Sequence, residues 1–163
     1  MAHMDIKLES ILEGEFESLF LVVKEGLYSH VNSVFGWCDD YQRNRLIADY
    51  EPNWFFWVYA ASTRVGMLCF KPYDNSYHVH LLVVFPEFQN QKLGETIMDY
   101  VHKVAQSEHR NSVTLSSFVR NNKAVRFYKR LGYGVVENDG NFLSLSLTLS
   151  NKLPKGIQSV ICS

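Results

Sequence analysis

Two histidines and one tyrosine are the side chains of this sequence best suited to moving a proton. His78 and His80 are two residues apart in the apolar segment 77–85, and the two-residue period of a β-strand puts both on one face. A histidine titrates near pH 6.5 and can serve as a general base, but on an apolar strand it is more often a structural hydrogen-bonding residue. Tyr128 follows Asn121 by seven residues, about two helical turns, so the two side chains point the same way. Taken alone, Tyr128 also fits a core aromatic with its hydroxyl at the rim.

The loop 86–95, PEFQNQKLGE, is a candidate for binding phosphate. It joins a strand that ends at Phe85 to a helix that begins near Leu93, and the first N–H groups of a helix have no intrahelical acceptor. The helix dipole adds about half a positive charge at that end, which favours a phosphate there. Gly94 has no Cβ and would let a ligand approach the backbone, while Lys92 could add a cation. An ordinary connection between a strand and a helix has the same pattern, so the loop alone does not decide the function.

Length and composition limit the classes of protein and partner. The chain has 163 residues, of which 47% are hydrophobic, enough for one full core and too few for two. Its formal net charge of -1 gives no general attraction to nucleic acid or to anionic membranes. Cys38, Cys69 and Cys162 are odd in number and far apart, which fits neither a disulfide framework nor a zinc site. These features predict a cytoplasmic protein with no metal, no nucleic-acid partner and no membrane span.

Hydrophobic periodicity predicts a single alternating α/β unit. Apolar residues at helical spacing predict helices over residues 16–28, 39–49 and 93–107, and a fourth helix that contains Ala124 and Leu131 and ends at Gly132. Aromatic and aliphatic runs predict strands over residues 5–11, 54–61, 65–71, 77–85, 112–119, 133–137 and 142–149. The strand 77–85 has few polar groups, as expected of a central strand covered on both faces. We expect residues 1–150 to form one domain, with 151–163 either a loose tail or an added edge strand.

The loop also resembles the acetyl-coenzyme A signature of the GNAT acetyltransferases, written Gln/Arg-x-x-Gly-x-Gly/Ala. Gln89, Lys92 and Gly94 fill its three specified positions, and the family's usual Val-x-Pro lead-in is present at residues 84–86. One position departs from the family pattern, because Lys92 replaces the first glycine and must take a conformation that a side chain tolerates. The resemblance allows this change, since the family's loop binds phosphates mainly through main-chain amides, which Lys92 still provides.

A second motif resembles the other half of the GNAT cofactor site. The family pattern is Asn-x-x-Ala, a tyrosine four residues later, and Gly-Phe/Tyr after the helix. The chain matches this pattern with Asn121, Ala124, Tyr128, Gly132 and Tyr133. One helix and one strand separate the two motifs, as in the family, and the likeness covers residues 54–149. On these two motifs the sequence resembles a GNAT N-acetyltransferase.

The resemblance implies a fold, an acetyl donor and a set of site residues. The fold is an α/β single domain whose mixed, mostly antiparallel sheet has about six to seven strands flanked by helices. The donor is acetyl-coenzyme A, no metal takes part, and the acceptor is a primary amine of a small molecule or peptide that attacks directly. The implied cofactor-binding residues are Val83, Val84, Gln89, Asn90, Gln91, Lys92, Leu93, Gly94, Glu95, Asn121, Ala124 and Tyr128.

Acetyl transfer needs a neutral amine, a polarised carbonyl and a proton for the departing thiolate. The resemblance implies that Tyr128 supplies the proton and that main-chain N–H groups near Val83 and Val84 hold the carbonyl oxygen. The family often places a carboxylate base on the strand before the loop, where this chain has His78 and His80. We therefore take His80 as the candidate base, and we keep open a water relay along the strand carbonyls with no side-chain base.

The acceptor end is the least specific part of the resemblance. In the family the first two helices shape the acceptor pocket, and we predict Trp37, Asp39 and Trp54 as substrate-binding residues because acids and aromatic rings suit a cationic amine. The alternative assigns Asp39 and Asp40 to helix capping and the tryptophans to the core. A non-catalytic acyl-coenzyme A sensor or an interaction domain is the alternative function, and a homodimer is a further expectation.

Overall fold

The structure is a computed structural model, and it describes residues 5–150. The strands are β1 (Ile6–Ser10), β2 (Phe55–Ala60), β3 (Thr63–Tyr73), β4 (Ser76–Val84), β5 (Ser112–Phe118), β6 (Gly134–Asn138) and β7 (Phe142–Thr148). The helices are α1 (Phe16–Val34), α2 (Asp39–Asp49), α3 (Leu93–Ser107) and α4 (Asn122–Arg130). Short single-turn helices precede α1 and β2 and follow β4.

The described strands form one seven-stranded sheet in the order β1-β2-β3-β4-β5-β7-β6. Among these strands only β4 and β5 pair in parallel, and every other neighbouring pair is antiparallel. The predicted mixed, mostly antiparallel sheet in a single domain is therefore confirmed. β4 occupies the predicted central position, because it is the fourth strand from either edge.

The two parallel strands separate partway along their length. β4 pairs with β5 only over residues 76–79. On the other edge of β4, the pairing with β3 shifts between Cys69 and Phe70, which leaves His80 as an extra residue on β4. Such a β-bulge bends its strand and increases the local twist. The bulge therefore accompanies the divergence of residues 80–84 from β5, which opens a gap in the sheet.

The helices cover both faces of the sheet through their apolar stripes. Phe20 of α1 and Trp57 of β2 belong to one buried cluster, and Val58 of β2 belongs to the other. Successive strand residues point to opposite faces, so the neighbours Trp57 and Val58 contribute to different cores. The residues that α3 buries in the second cluster are Leu93, Ile97, Met98, Val101 and Ala105. The central strands are thus covered on both faces of the sheet, and the divergent end of β4 packs against helices on each face.

The bounds of most elements agree with the predictions to within one or two residues. The main difference is α1, which continues past the predicted end near residue 28 because Val31 is buried, and it stops before Gly36, whose φ is 82°. β3 is longer than the predicted 65–71, since its hairpin with β4 continues to a tight turn at Asp74, whose φ is 54°. The predicted tail or edge strand at 151–163 lies outside the described residues.

Candidate active site

A cleft of about 1230 Å³ occupies the gap between the diverging ends of β4 and β5. β4 lines it along residues 78–84, and α1, α2, α4 and the turn between β6 and β7 complete its wall. The predicted cofactor residues in this lining are Val83, Val84, Gln89, Asn121, Ala124 and Tyr128. Residues 90–95, at the start of α3, lie beyond the lining. The structure thus brings the second motif and the end of β4 to one cleft.

The loop after β4 presents a row of unused backbone donors. Asn90 and Lys92 take left-handed conformations, with φ of 64° and 62°. Within the described part of the chain, none of the N–H groups of residues 90–95 donates a hydrogen bond to a protein acceptor. Consecutive N–H groups around left-handed residues can form an anion-binding concavity, and the dipole of α3 adds positive charge there. The loop therefore has the donors that a pyrophosphate requires.

Lys92 keeps a conformation that glycine adopts more easily. A left-handed backbone costs a residue with a Cβ about 1 kcal/mol, yet Lys92 takes it at the position immediately before α3. Gln89 fixes the other end of the loop, because its Nε2 donates a hydrogen bond to the carbonyl oxygen of Val84 at 2.9 Å. The departure from the family signature thus changes a side chain while the backbone keeps a glycine-like path.

Gly94 also meets a packing requirement between α3 and α4. A Cβ at this position would lie 3.2 Å from Cζ of Phe127. The start of α3 therefore packs closely on α4, and the missing side chain lets the two helices approach each other. Close approach of a ligand to the backbone at Gly94 stays a prediction, and a large residue at this position would also push against Phe127.

The second motif places α4 against the cleft. Asn121 is the N-cap of α4, and its Oδ1 accepts a hydrogen bond from the Ala124 N–H at 3.2 Å. Its Nδ2 makes no hydrogen bond within residues 5–150, so helix capping leaves a donor for a ligand. Tyr128 is 9% exposed, its ring contacts Phe127 and Tyr133, and burial raises the pKa of its hydroxyl. Tyr128 is therefore a protonated phenol in the cleft wall throughout the neutral pH range.

His80 has an unsatisfied ring nitrogen at the bulge of β4. Its Nε2 is buried and has no hydrogen-bond partner among the described residues. Its ring stacks on Trp54 with centroids 5.4 Å apart and meets the Tyr50 ring edge-on at 5.1 Å. Burial, with added repulsion from nearby positive charges, lowers the pKa of His80 to about 4. His78 differs, because its Nδ1 lies 2.8 Å from Oγ1 of Thr114.

The predicted acceptor residues Trp37, Asp39 and Trp54 are not part of the cleft lining. The Trp37 Nε1–H donates to the Asp39 carboxylate at 2.6 Å, and Lys24 Nζ lies 3.0 Å from the same oxygen. These contacts lower the pKa of Asp39 and tie the start of α2 to α1. Trp54 lies behind His80, on which it stacks. The structure therefore places these three side chains outside the lining of the cleft, and their contact with an acceptor stays a prediction.

Three residues on the α2 side of the cleft were not predicted from the sequence, and these are Gln42, Arg45 and Tyr50. Gln42 and Arg45 are three residues apart on α2, so they lie on the same side of that helix. Gln42 is only 7% exposed. The sequence of α2, DDYQRNRLIAD, is polar on most sides, so no periodic signal indicated which of its polar residues would be buried.

The described part of the chain has neither a metal-ligand cluster nor a membrane-spanning helix. Within residues 5–150, no cluster of three or more histidine, cysteine or acidic side chains could hold a metal ion. None of the described helices is long and apolar enough to cross a membrane. Cys38 and Cys69 are free thiols, the first exposed and the second buried. The described polar groups of the cleft are backbone amides, hydroxyls, histidines, side-chain amides, the thiol of Cys38, Arg45 and Asp139.

Several solved structures share the fold. PaiA N-acetyltransferase from Thermoplasma acidophilum, in complex with coenzyme A, matches with a TM-score of 0.69 and 19% identity over 89% of this chain and 99% of that chain. PH1933 from Pyrococcus horikoshii OT3 matches with a TM-score of 0.67 and 18% identity over 90% of this chain and 99% of that chain. The ribosomal-protein-S18-alanine N-acetyltransferase from Escherichia coli matches with a TM-score of 0.60 and 13% identity over 90% and 95%. At these identities the likeness establishes the fold.

Sequence comparison establishes the family. No curated protein matches the chain. The model of the acetyltransferase (GNAT) family matches residues 22–133, which is more than half of the chain and spans both motifs. The chain therefore belongs to the acetyltransferase (GNAT) family and is an N-acetyltransferase whose acetyl donor is acetyl-coenzyme A.

Proposed function

We propose that this enzyme transfers the acetyl group to a primary amine of a small molecule or peptide by direct attack of the amine. The observation that carries the proposal is the row of unused N–H donors at residues 90–95, which follows a strand whose open edge shares a cleft with Tyr128. Acetyl-coenzyme A supplies a thioester carbonyl, to which the amine nitrogen bonds while the carbon–sulfur bond breaks, the amine loses a proton and the sulfur gains one. The chain must bind both reactants, orient them and move these protons.

The residues present fit acetyl-coenzyme A in charge and in hydrogen-bonding capacity. The N–H groups of residues 90–95 would hold its pyrophosphate. α4 adds four basic side chains and no acid, which favours a polyanion nearby, and these are Lys123, Arg126, Lys129 and Arg130. Main-chain groups of Val83 and Val84, beyond the part of β4 that pairs with β5, would contact the thioester carbonyl. Asn121 and Tyr128 would contact the remainder of the cofactor from α4.

Tyr128 is the proton donor in this proposal. Burial raises the pKa of its hydroxyl, so the proton is present whenever the sulfur departs near neutral pH. A raised pKa also makes Tyr128 a weaker acid. This loss is offset because a thiolate in the same apolar surroundings is a stronger base, since burial raises the pKa of a thiol as well. The hydroxyl can therefore donate a hydrogen bond and then its proton to the departing sulfur.

His80 orients the amine and is too weak a base to carry its proton at neutral pH. With a pKa of about 4 the ring is neutral, and its unpartnered Nε2 can accept a hydrogen bond from the amine. The positive charges of Lys71 and Arg45, which help to lower the pKa of His80, also disfavour an ammonium ion in the same place. The cleft therefore promotes loss of the amine proton to water, as in the relay that the sequence left open.

Two measurements on the wild-type protein test the proposal. We expect acetyl-coenzyme A to bind in a calorimetric titration and free thiol to be released faster when a panel of primary amines is added. Binding without amine-dependent release would favour the alternative of a non-catalytic acyl-coenzyme A sensor. No binding by the folded protein would overturn the proposal. The cytoplasmic location and the homodimer stay predictions, the latter testable by light scattering.

Variants at Lys92 separate the contribution of the main chain from that of the side chain. Lys92→Gly relieves the left-handed strain, so we expect the free energy of unfolding to rise by about 1 kcal/mol and the affinity for acetyl-coenzyme A to fall by less than about tenfold. Lys92→Glu keeps the strain and adds an anion beside the phosphates, so affinity should fall by more than about tenfold. Urea unfolding and calorimetry measure both quantities. Equal losses of affinity in the two variants would assign the binding to the lysine side chain.

The pH dependence of stability should report the burial of His80. Its pKa is about 4 in the folded protein and about 6.5 in the unfolded chain, so the unfolded chain binds more protons between these values. The contribution of neutral His80 is complete above about pH 6.5 and is lost as the pH falls towards about 4. His80→Phe should therefore reduce the slope of the unfolding free energy against pH in this window.

Other histidines limit the size of that change. Burial also lowers the pKa values of His30, His78 and His102, so the variant should keep part of the acid sensitivity. Urea unfolding at several pH values across the window measures the slope for wild type and variant. Identical slopes would show that His80 is protonated equally in the folded and unfolded states.

A further inference from the structure

Few charged side chains line the cleft, and the α2 and β4 sides of its described lining have no acid. Among the lining residues the charged side chains of the lysine, arginine and acidic types are Arg45 and Asp139. The Asp139 carboxylate accepts hydrogen bonds from the N–H groups of Phe142 at 2.7 Å and Asn141 at 2.9 Å, and these bonds lower its pKa. Asp139 is thereby fixed at the exposed turn between β6 and β7. On the α2 side, the charged side chain that lines the cleft is Arg45.

Arg45 has hydrogen-bond donors that the described protein does not use. Its Nε lies 3.7 Å from the carboxylate of Asp49, one turn further along α2, and the two side chains are 46% and 62% exposed. Such a surface pair contributes little free energy. The two terminal nitrogens of Arg45 have no ion-pair or hydrogen-bond partner within residues 5–150. Because a guanidinium is a planar fork that matches the two oxygens of a carboxylate, Arg45 can take an anion without losing a strong contact.

Gln42 adds an unpartnered amide on the same side of α2. The residue is 7% exposed and lines the cleft, and its side chain makes no hydrogen bond with any described residue. Its amide is accessible from the cleft, because among the described residues the buried side-chain nitrogen or oxygen without a partner is Nε2 of His80. Since Gln42 and Arg45 are three residues apart, their donors face the same part of the cleft. Together they form a place for an anionic group.

This place adjoins the end of the cleft where the amine would react. The Tyr50 ring meets the His80 ring at 5.1 Å. Burial raises the pKa of Tyr50 and lowers that of His80, and the charge of Arg45 acts on both groups, so all three residues lie together. Lys71 Nζ lies 4.4 Å from the Trp54 ring, which stacks on His80. The unpartnered Nε2 of His80 therefore lies near two positive charges, those of Lys71 and Arg45. Arg45 is the one that pairs with an acid, Asp49.

We propose that the acceptor is a small amine that also carries a carboxylate, as a free amino acid does, and that Arg45 and Gln42 bind this carboxylate while the amine lies at His80. The inference rests on the proposed acetyl transfer and specifies its acceptor. A carboxylate would use the spare donors of Arg45 and Gln42 and balance the positive charge around His80. A diamine or polyamine would bring a second cation to a wall that offers it no acid.

Acceptors that differ at the carboxylate test this assignment. One set of acceptors is L-phenylalanine, L-phenylalaninamide and 2-phenylethylamine. Two further sets contain glycine or L-leucine, its amide, and the amine that lacks the carboxyl group. The aromatic set suits the mouth of the cleft, where the rings of Phe35 and Phe142 stack at 6.1 Å. Thiol release gives kcat/KM, and calorimetry on the same samples gives binding of acetyl-coenzyme A. We expect kcat/KM for the acids to exceed that for the amides and amines by about tenfold or more.

Variants of α2 connect the preference to its residues. Arg45→Ala should raise KM for the preferred acid by about tenfold or more with a smaller change in kcat, and Arg45→Lys should restore part of the loss. Arg43→Ala is the matched control, because Arg43 lies on the same helix but pairs with Glu17 and is not part of the cleft lining. This control should keep the preference for the acid.

Each result has a separate meaning. Equal kcat/KM for acid, amide and amine would overturn the carboxylate assignment and leave acetyl transfer intact. A preference that survives Arg45→Ala would overturn the role of Arg45. Binding of acetyl-coenzyme A without turnover of any acid in the panel would overturn the amino-acid acceptor. Loss of acetyl-coenzyme A binding itself would instead overturn the proposed function.

Discussion

Replacing Tyr128 by phenylalanine is expected to lower kcat by about a hundredfold and to leave the affinity for acetyl-coenzyme A nearly unchanged. The change removes one hydroxyl from the cleft and keeps the ring that packs on Phe127 and Tyr133. The departing sulfur would then lose its proton donor, while the phosphate-binding donors at residues 90–95 stay in place. Steady-state kinetics with a saturating amine measure kcat, and calorimetry measures the affinity.

Tyr133→Phe provides the matched control for this result. Tyr133 is a buried tyrosine in the same motif, but it is not part of the cleft lining, and its hydroxyl lies 2.7 Å from Nε2 of His102. Its loss should reduce the free energy of unfolding by about 1 kcal/mol and change kcat little. A kcat of Tyr128→Phe within a few-fold of wild type would mean that water protonates the departing sulfur. Equal falls in kcat for the two variants would point to packing of α4 as the cause.

The features predicted well from the sequence are those with a strong local pattern. The alternation of leucine with serine or threonine over residues 142–149 predicted a strand with one buried face. Leu143 and Leu145 of β7 are buried as expected, Leu147 is half-buried, and Leu149 is buried just beyond the strand. The shared face of His78 and His80 also followed from the period of a strand, and their rings lie 4.7 Å apart. These predictions succeed because the side-chain period of a strand is a local property.

The features that the sequence did not predict depend on contacts between distant segments. The bulge at His80 arises from a shift in the pairing of β4 with β3, which no single strand records. Asp39 was assigned either to the acceptor or to a helix cap, but Cys38 is the N-cap of α2 and Asp39 is bonded to Trp37 and Lys24. The cleft positions of Gln42 and Arg45 likewise depend on how α2 is placed against β4. Local periodicity cannot supply such placements.

Gly66 illustrates the same dependence, and its replacement by alanine is expected to be strongly destabilising. A Cβ at this position would lie 2.2 Å from the carbonyl oxygen of Val83, far inside any tolerated contact. The obstacle is backbone and cannot rotate away, so β3 and β4 would have to separate where Gly66 pairs with Val84. We expect the free energy of unfolding to fall by about 3 kcal/mol, at the upper end of overpacking effects.

The position of Gly66 couples this loss of stability to the active site. Val83 and Val84 line the cleft, and the N–H of Phe85 bonds to the carbonyl of Val65 at 2.9 Å, so β3 holds the end of β4 that precedes the phosphate-binding loop. The fraction of Gly66→Ala that still folds should therefore bind acetyl-coenzyme A more weakly than wild type. Urea unfolding and calorimetry at low temperature measure the two effects separately.

Gly134→Ala is the control for a glycine in a strand without such a contact. A Cβ at Gly134 would meet no atom within 4 Å, so its unfolding free energy should stay within about 0.5 kcal/mol of wild type and its affinity for acetyl-coenzyme A should be unchanged. A wild-type stability for Gly66→Ala would mean that β3 and β4 can part at this point at little cost. In that case β3 would not fix the end of β4, and the geometry of the cleft would depend on α1 and α3 instead.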